Sequence, residues 1–210
     1  MSARCLSVPV IVLNMLFFWS CAEDLPPNEQ AAMPPVTAVE LTHGDFFGWN
    51  AITLKNDVVR LDIIPELGGN IMGYEVLGTQ LLWHNPLREG EVDIFHRNDV
   101  HEPHMNAGGA KVWPAPQRQW GGPADKVLDG SVYEASVDDG SVTLTSPPDD
   151  GEGRTGIQYR LHHTLVPNST VVKHHLTMTN VVNRPVEWAL WHLSTVPAAV
   201  NGTVYGATGK

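Results

Sequence analysis

Residues 58–83 read VVRLDIIPELGGNIMGYEVLGTQLLW. Val59, Leu61 and Ile63 alternate with Arg60 and Asp62, the period-2 pattern of a strand with one buried face. Pro65 bounds that run, Gly68-Gly69 supplies a turn, and residues 71–77 follow as a partner strand. Residues 81–83 form another short apolar run, and residues 52–54 precede the quoted stretch as one more. Further along, strands are expected at 131–137, 141–146, 156–166, 170–182 and 185–196. Turn residues separate them: Asp138-Asp139-Gly140, 147–153, Pro167-Asn168 and Asn183-Arg184. No segment carries a convincing 3.6-residue periodicity, an internal repeat or heptads. The expected fold class is therefore all-β.

Composition agrees. The chain has 210 residues, with 19 Gly and 16 Pro, and 42 % of it is hydrophobic, enough for a packed and turn-rich domain. Its 13 Lys and Arg stand against 23 Asp and Glu, a formal charge of −10. That balance argues against a nucleic-acid partner, which needs clustered cations to displace counterions. No run in the body of the chain is long and apolar enough to cross a bilayer.

The first 21 residues read as an export signal. Arg4 gives a positive start, residues 5–19 are mostly apolar, and Ser20-Cys21-Ala22 places small residues at a cleavage point. A Cys directly after such a run resembles a bacterial lipoprotein signal, which makes Cys21 the expected lipidation site. The alternative is a plain secretory signal. Residues 22–36, AEDLPPNEQAAMPPV, read as a Pro-rich tether, and residues 37–210 as the β-domain. The expected protein is exported and meets a membrane at most through a lipid anchor. With Cys5 and Cys21 in the signal region, the body has no other Cys and hence no internal disulfide or Cys nucleophile.

Residues 106–120, NAGGAKVWPAPQRQW, are the most informative block for function. Trp113 and Trp120 can offer flat apolar faces to a sugar ring, while Asn106, Lys111 and Gln117 can bond its hydroxyls. The alternative is a Trp-rich loop packing over the sheet. Among the 10 histidines, His96, His101 and His104 lie near Asp99 and Glu102, but their spacing fits no ligand template, and no metal is expected. His163 and His174 fall on apolar strand faces and read as inward histidines. In residues 186–192, VEWALWH, alternation puts Trp188 and His192 on one face, where aromatics can tune an imidazole for acid–base work; the alternative is a core histidine. The Gly pairs lack the context of a phosphate loop, and no pair of carboxylates can be placed for glycoside hydrolysis.

Taken in order, three segments carry a resemblance: residues 58–83, the GG…WP run at 108–120, and residues 180–192, NVVNRPVEWALWH. Over roughly residues 40–200 the chain resembles the galactose mutarotase-like (aldose 1-epimerase-like) superfamily, and most closely its uncharacterised domain of unknown function 4380 family. The resemblance implies a β-supersandwich with a sugar site on a concave sheet face. It implies that His192 protonates the ring oxygen of an aldose and that residues 106–111 and Trp113 surround the sugar; the expected sugar- or glycan-binding residues are Asn106, Lys111, Trp113, Gln117, Trp120 and Trp188, and no cofactor is expected. A Glu near the C-terminus is the family's general base. This chain departs at three points. Asn70 stands where an Arg is usual, Ala107 where a His is usual, and the sequence stops at Lys210 before the base. The domain is therefore expected to be the N-terminal part of a supersandwich, incomplete at its C-terminus. The functional expectation is a carbohydrate-recognising exported protein, an aldose epimerase if the full-length chain supplies a base. The alternatives are a non-catalytic carbohydrate-binding lipoprotein and a cell-envelope interaction module.

Overall fold

The computed structural model describes residues 38–92, 106–119 and 125–198. The expected signal and tether, with Cys21, lie outside the described residues. So do Trp120 and the group His96, Asp99, His101, Glu102 and His104.

Among the described residues, eleven strands form two antiparallel sheets. The first five are β1 Glu40–Phe46, β2 Trp49–Lys55, β3 Val59–Ile64, β4 Asn70–Val76 and β5 Thr79–Gln80. The rest are β6 Ala110–Ala115, β7 Glu134–Asp138, β8 Ser141–Thr145, β9 Ile157–Leu165, β10 Val172–Asn180 and β11 Ala189–Ser194. The larger sheet has the order β1-β2-β3-β4-β6-β11, with β5 paired to β4, and the smaller has β10-β9-β8-β7. The architecture is an all-β sandwich.

The alternation read from residues 58–64 decides which face is buried. Leu61 and Ile63, with Leu54 and Ile52 of β2, pack against Val142 and Leu144 of β8 and Tyr159 and Leu161 of β9. These side chains fill the layer between the sheets. A second, smaller apolar cluster lies on the other face of the large sheet, built from Phe46, Trp49, Ala51, Ile64, Leu67, Met72 and Ala107. We call this the outer face. Ile63 and Ile64 face opposite clusters by ordinary strand alternation, and the register slips beside them, where Met72 is an extra residue of β4 between the partners of Asp62 and Ile63.

Two features differ from the sequence reading. Residues 110–115 form a full strand, β6, rather than irregular loop, because Ala110 and Val112 are apolar and alternate with Lys111. A one-turn helix, α1 Lys126–Gly130, is held by Asp125, whose carboxylate accepts from the Val127 and Leu128 N–H groups at 2.8 and 2.9 Å. Five residues are too few to show a 3.6-residue period.

Candidate functional site

The outer face carries two groupings of polar and aromatic side chains. The first is built on β6 and β11. Lys111 and Trp113 point away from the inter-sheet core, since Val112 between them points into it. Antiparallel pairing sets Trp191 across from Trp113, and the rings meet edge to face at 5.8 Å. Asp129 of α1 organises this corner. The Lys111 ammonium lies 3.1 and 3.2 Å from its two oxygens, and the Trp113 indole N–H donates to it at 2.7 Å. The ammonium also sits 4.9 Å from the Trp113 ring centroid. Both charged side chains are almost fully buried. Lys111 therefore fixes Trp113 and does not present its ammonium to solvent. Gly68 allows the approach of α1: its φ is +62°, and a Cβ there would meet the Asp129 carbonyl oxygen at 2.4 Å.

The second grouping is a cleft of about 580 Å3 lined in part by Phe47, Arg60, Asp62, Glu75, Gln80 and His84. Its aromatic wall is the β1–β2 turn. Phe47 is 51 % exposed, packs edge-on to Phe46 at 4.9 Å and lies tilted over His84 at 4.2 Å. His84 is tied to Glu89 at 2.9 Å. Asp62, 1 % exposed, receives the Thr53 hydroxyl at 2.7 Å and the Arg60 guanidinium at 3.0 Å. Gly73 lets this happen, because a Cβ there would lie 2.3 Å from an Asp62 oxygen. The Gln80 amide oxygen accepts from the Tyr74 and Leu81 N–H groups at 2.8 and 3.1 Å, which fixes its plane.

The remaining sequence-derived candidates fall elsewhere. Asn106 is half-buried, and its side-chain oxygen accepts the Gly108 N–H at 3.0 Å, a turn-forming bond. Gln117 is exposed in a single 3-10 turn after β6. Trp188 packs against the inter-sheet core and donates its indole N–H to the Thr155 carbonyl at 2.9 Å. His192 pairs with the core residue Val112, so it too faces the inter-sheet side. The sheet thus separates His192 and Trp188 from Lys111 and Trp113. Strand alternation could be read from the sequence, but the cross-strand register that pairs His192 with Val112 could not.

His192 completes a row of three imidazoles across the open edge of the inter-sheet layer. His163 and His174 are 2.8 Å apart, Nδ1 to Nδ1, and the His174 and His192 ring centroids are 5.6 Å apart. His163 is 2 % exposed, as its apolar strand face suggested, and burial pushes its pKa down to about 3, with the neighbouring His174, His192 and His162 adding to the effect. Burial also lowers His174, helped by His192, and lowers His192. Both His163 and His174 use Nδ1, so only one of them carries its proton there. Assigning that proton to His163 leaves its partnerless, buried Nε2 as a bare acceptor; the reverse would bury an unpaired N–H. Among the described residues, no three His, Cys, Asp or Glu side chains are arranged to hold a metal ion, and no helix is long and apolar enough to cross a membrane.

Asp129, Trp191, Phe47 and Glu75 were not singled out by the sequence. Arg60 and Asp62 were visible as the polar members of an alternating strand, and their pairing was the available signal.

Fold and faces define the protein as an all-β sandwich with a ligand-sized cleft on its larger sheet. No protein-family model and no curated protein matches the chain. Among solved structures it is similar to a TPR-domain containing protein from Parabacteroides distasonis, at 16 % identity and a TM-score of 0.40, covering 62 % of this chain and 21 % of that one. It is also similar to 4-alpha-glucanotransferase from Thermococcus litoralis, at 14 % identity and a TM-score of 0.42, covering 67 % and 24 %. The chain thus spans about a fifth to a quarter of each.

Proposed function

We propose that the protein recognises carbohydrate on the outer face of its larger sheet, within a galactose mutarotase-like supersandwich, and that it is exported and lipid-anchored through Cys21. The observation that carries this reading is the cleft of about 580 Å3 in which the exposed Phe47 ring and His84 stand beside Arg60, Glu75 and Gln80. A sugar has apolar C–H faces and a rim of hydroxyls, so it suits ring faces set next to planar polar groups. The Trp113–Trp191 pair extends the same face with further aromatic surface, and Trp191 is 37 % exposed.

Binding without epimerisation is the form of this proposal that the geometry favours. His192 faces away from the outer cleft, and burial lowers its pKa, which disfavours the protonated acid that ring opening requires.

Isothermal titration with a panel of neutral aldoses and oligosaccharides tests the proposal. Saturable binding is expected, weakened about three- to tenfold in Phe47→Ala through loss of ring contact. Heats that never saturate, or unchanged affinity in Phe47→Ala, would overturn it. Polarimetry separates the catalytic form: acceleration of anomer exchange that disappears in His192→Ala would restore the epimerase reading.

A further inference from the structure

The smaller sheet has an outer face of its own, and its chemistry differs from everything above. On β9, Tyr159, Leu161 and His163 are buried, so Arg160, His162 and Thr164 point the other way. Pairing with β10 sets Arg160 across from Thr177, His162 across from His175 and Thr164 across from Lys173. Arg160, His162, His175 and Thr177 line a hollow of about 280 Å3.

Every polar side chain of this hollow can donate a hydrogen bond, and none is a carboxylate. The His162 ring is fixed from both sides, by the Thr143 hydroxyl at 2.8 Å and the Thr164 hydroxyl at 3.1 Å. Arg160 is one of the cations of this acidic chain that lack an ion-pair partner among the described residues, as does Lys173 on the same face. Arg60, Arg88, Lys111 and Arg154 each have a carboxylate within ion-pair distance. Arg160 has none among the described residues. The acids of this face, Glu134 and Asp138, lie on β7, beyond β8. For Arg160 that is two strand spacings, about 9–10 Å. The sheet thus sorts its charges, with acids at one edge and uncompensated donors over the two strands at the other.

We propose that this hollow binds a single oxyanionic group, held by the Arg160 guanidinium, His175 and the Thr177 hydroxyl. A planar guanidinium fork matches the two oxygens of a carboxylate or sulfate. The size of the hollow fits a small anion or one acidic sugar residue. The chain's formal charge of −10 repels a polyanion but is screened for a small ligand. This inference is independent of neutral-sugar recognition, which uses the other sheet.

The test is titration of the full chain with sodium sulfate and with sodium glucuronate, each against sodium chloride at matched ionic strength, followed by amide and imidazole NMR shifts. Saturable shifts on β9 and β10 are expected, with affinity at least about tenfold weaker in Arg160→Gln. Lys55→Gln, which removes an exposed cation from the other sheet, is expected to titrate as wild type. Arg160 is exposed, so its replacement should fold; should it not, His175→Gln carries the same expectation. Tighter binding of glucuronate than sulfate identifies a sugar-borne anion, and the reverse order a free ion. No saturation beyond chloride, or equal affinity in Arg160→Gln and wild type, overturns the proposal.

Discussion

Acid should destabilise this sandwich through one buried imidazole. His163 is 2 % exposed and its folded pKa is about 3, against about 6.5 in an unfolded chain. The folded state therefore binds fewer protons than the unfolded state between those two values. Stability from the neutral ring is fully present above about pH 6.5 and is lost as pH falls toward 3. One proton of difference corresponds to about 1.4 kcal/mol per pH unit. Between pH 6.5 and 4.5 the loss is then roughly 2–3 kcal/mol, a large part of the 5–15 kcal/mol typical of a domain. His174 and His192 shift in the same direction and add to the effect. The assay is the urea midpoint measured from pH 7 to pH 4.5 for wild type and for His163→Phe, which keeps a ring in the core but cannot titrate. Stability should fall with acid in both proteins, and less steeply in the variant by about one proton. Parallel curves for the two proteins would refute the reasoning, whatever their absolute stabilities, because carboxylate titration is common to both.

Other outcomes follow from the outer face. Lys111→Met leaves Asp129 buried with, among the described residues, only the Trp113 N–H as side-chain partner, and should cost about 3–5 kcal/mol in urea denaturation. Asp129→Asn should be similarly severe, and the double variant should cost less than the sum, which a double-mutant cycle would reveal. Gly68→Ala should lower the thermal midpoint well beyond Gly78→Ala. Both positions have positive φ, but a Cβ at Gly68 strikes the Asp129 backbone while one at Gly78 meets nothing within 4 Å. Arg60→Ala should weaken any ligand of the 580 Å3 cleft and also destabilise the fold, since Asp62 loses its cation; Glu75→Gln should affect the ligand alone.

Much of the fold was legible because hydrophobic alternation is local. Val59, Leu61 and Ile63 announced a strand with one buried face, and each is buried, but Asp62 and Ile64 on the other face are buried as well. The spacing of Asp138-Asp139-Gly140 between β7 and β8 fixed a hairpin in the same way. What the sequence hid was set by partners distant in the chain. Trp113 looked like a ligand platform or a packing residue, and the choice turns on Asp129, sixteen positions away, brought there by a glycine that admits the helix. The family resemblance put His192 at the same sugar site as Trp113. The register pairs it with Val112 instead, and a shift of one residue would have placed it on the opposite face.

That one-residue dependence bears on where ligand chemistry can sit in this sandwich. Buried charges on the outer face of the larger sheet are already neutralised in place, Asp62 by Arg60 and Asp129 by Lys111. What those pairs leave exposed is aromatic surface and planar polar groups, which suits a neutral ligand. The smaller sheet reverses this, with Arg160 lacking a carboxylate partner among the described residues and with hydroxyls and imidazoles around it. In the histidine row between them burial holds His163 neutral, and the exposed His174 and His192 shift in the same direction. Exchanging the charge at one position should therefore alter one class of ligand only. Arg160→Gln should abolish discrimination between glucuronate and glucose while leaving the Phe47-dependent binding of neutral sugars intact, and a variant that lost both together would show that the two faces do not act independently.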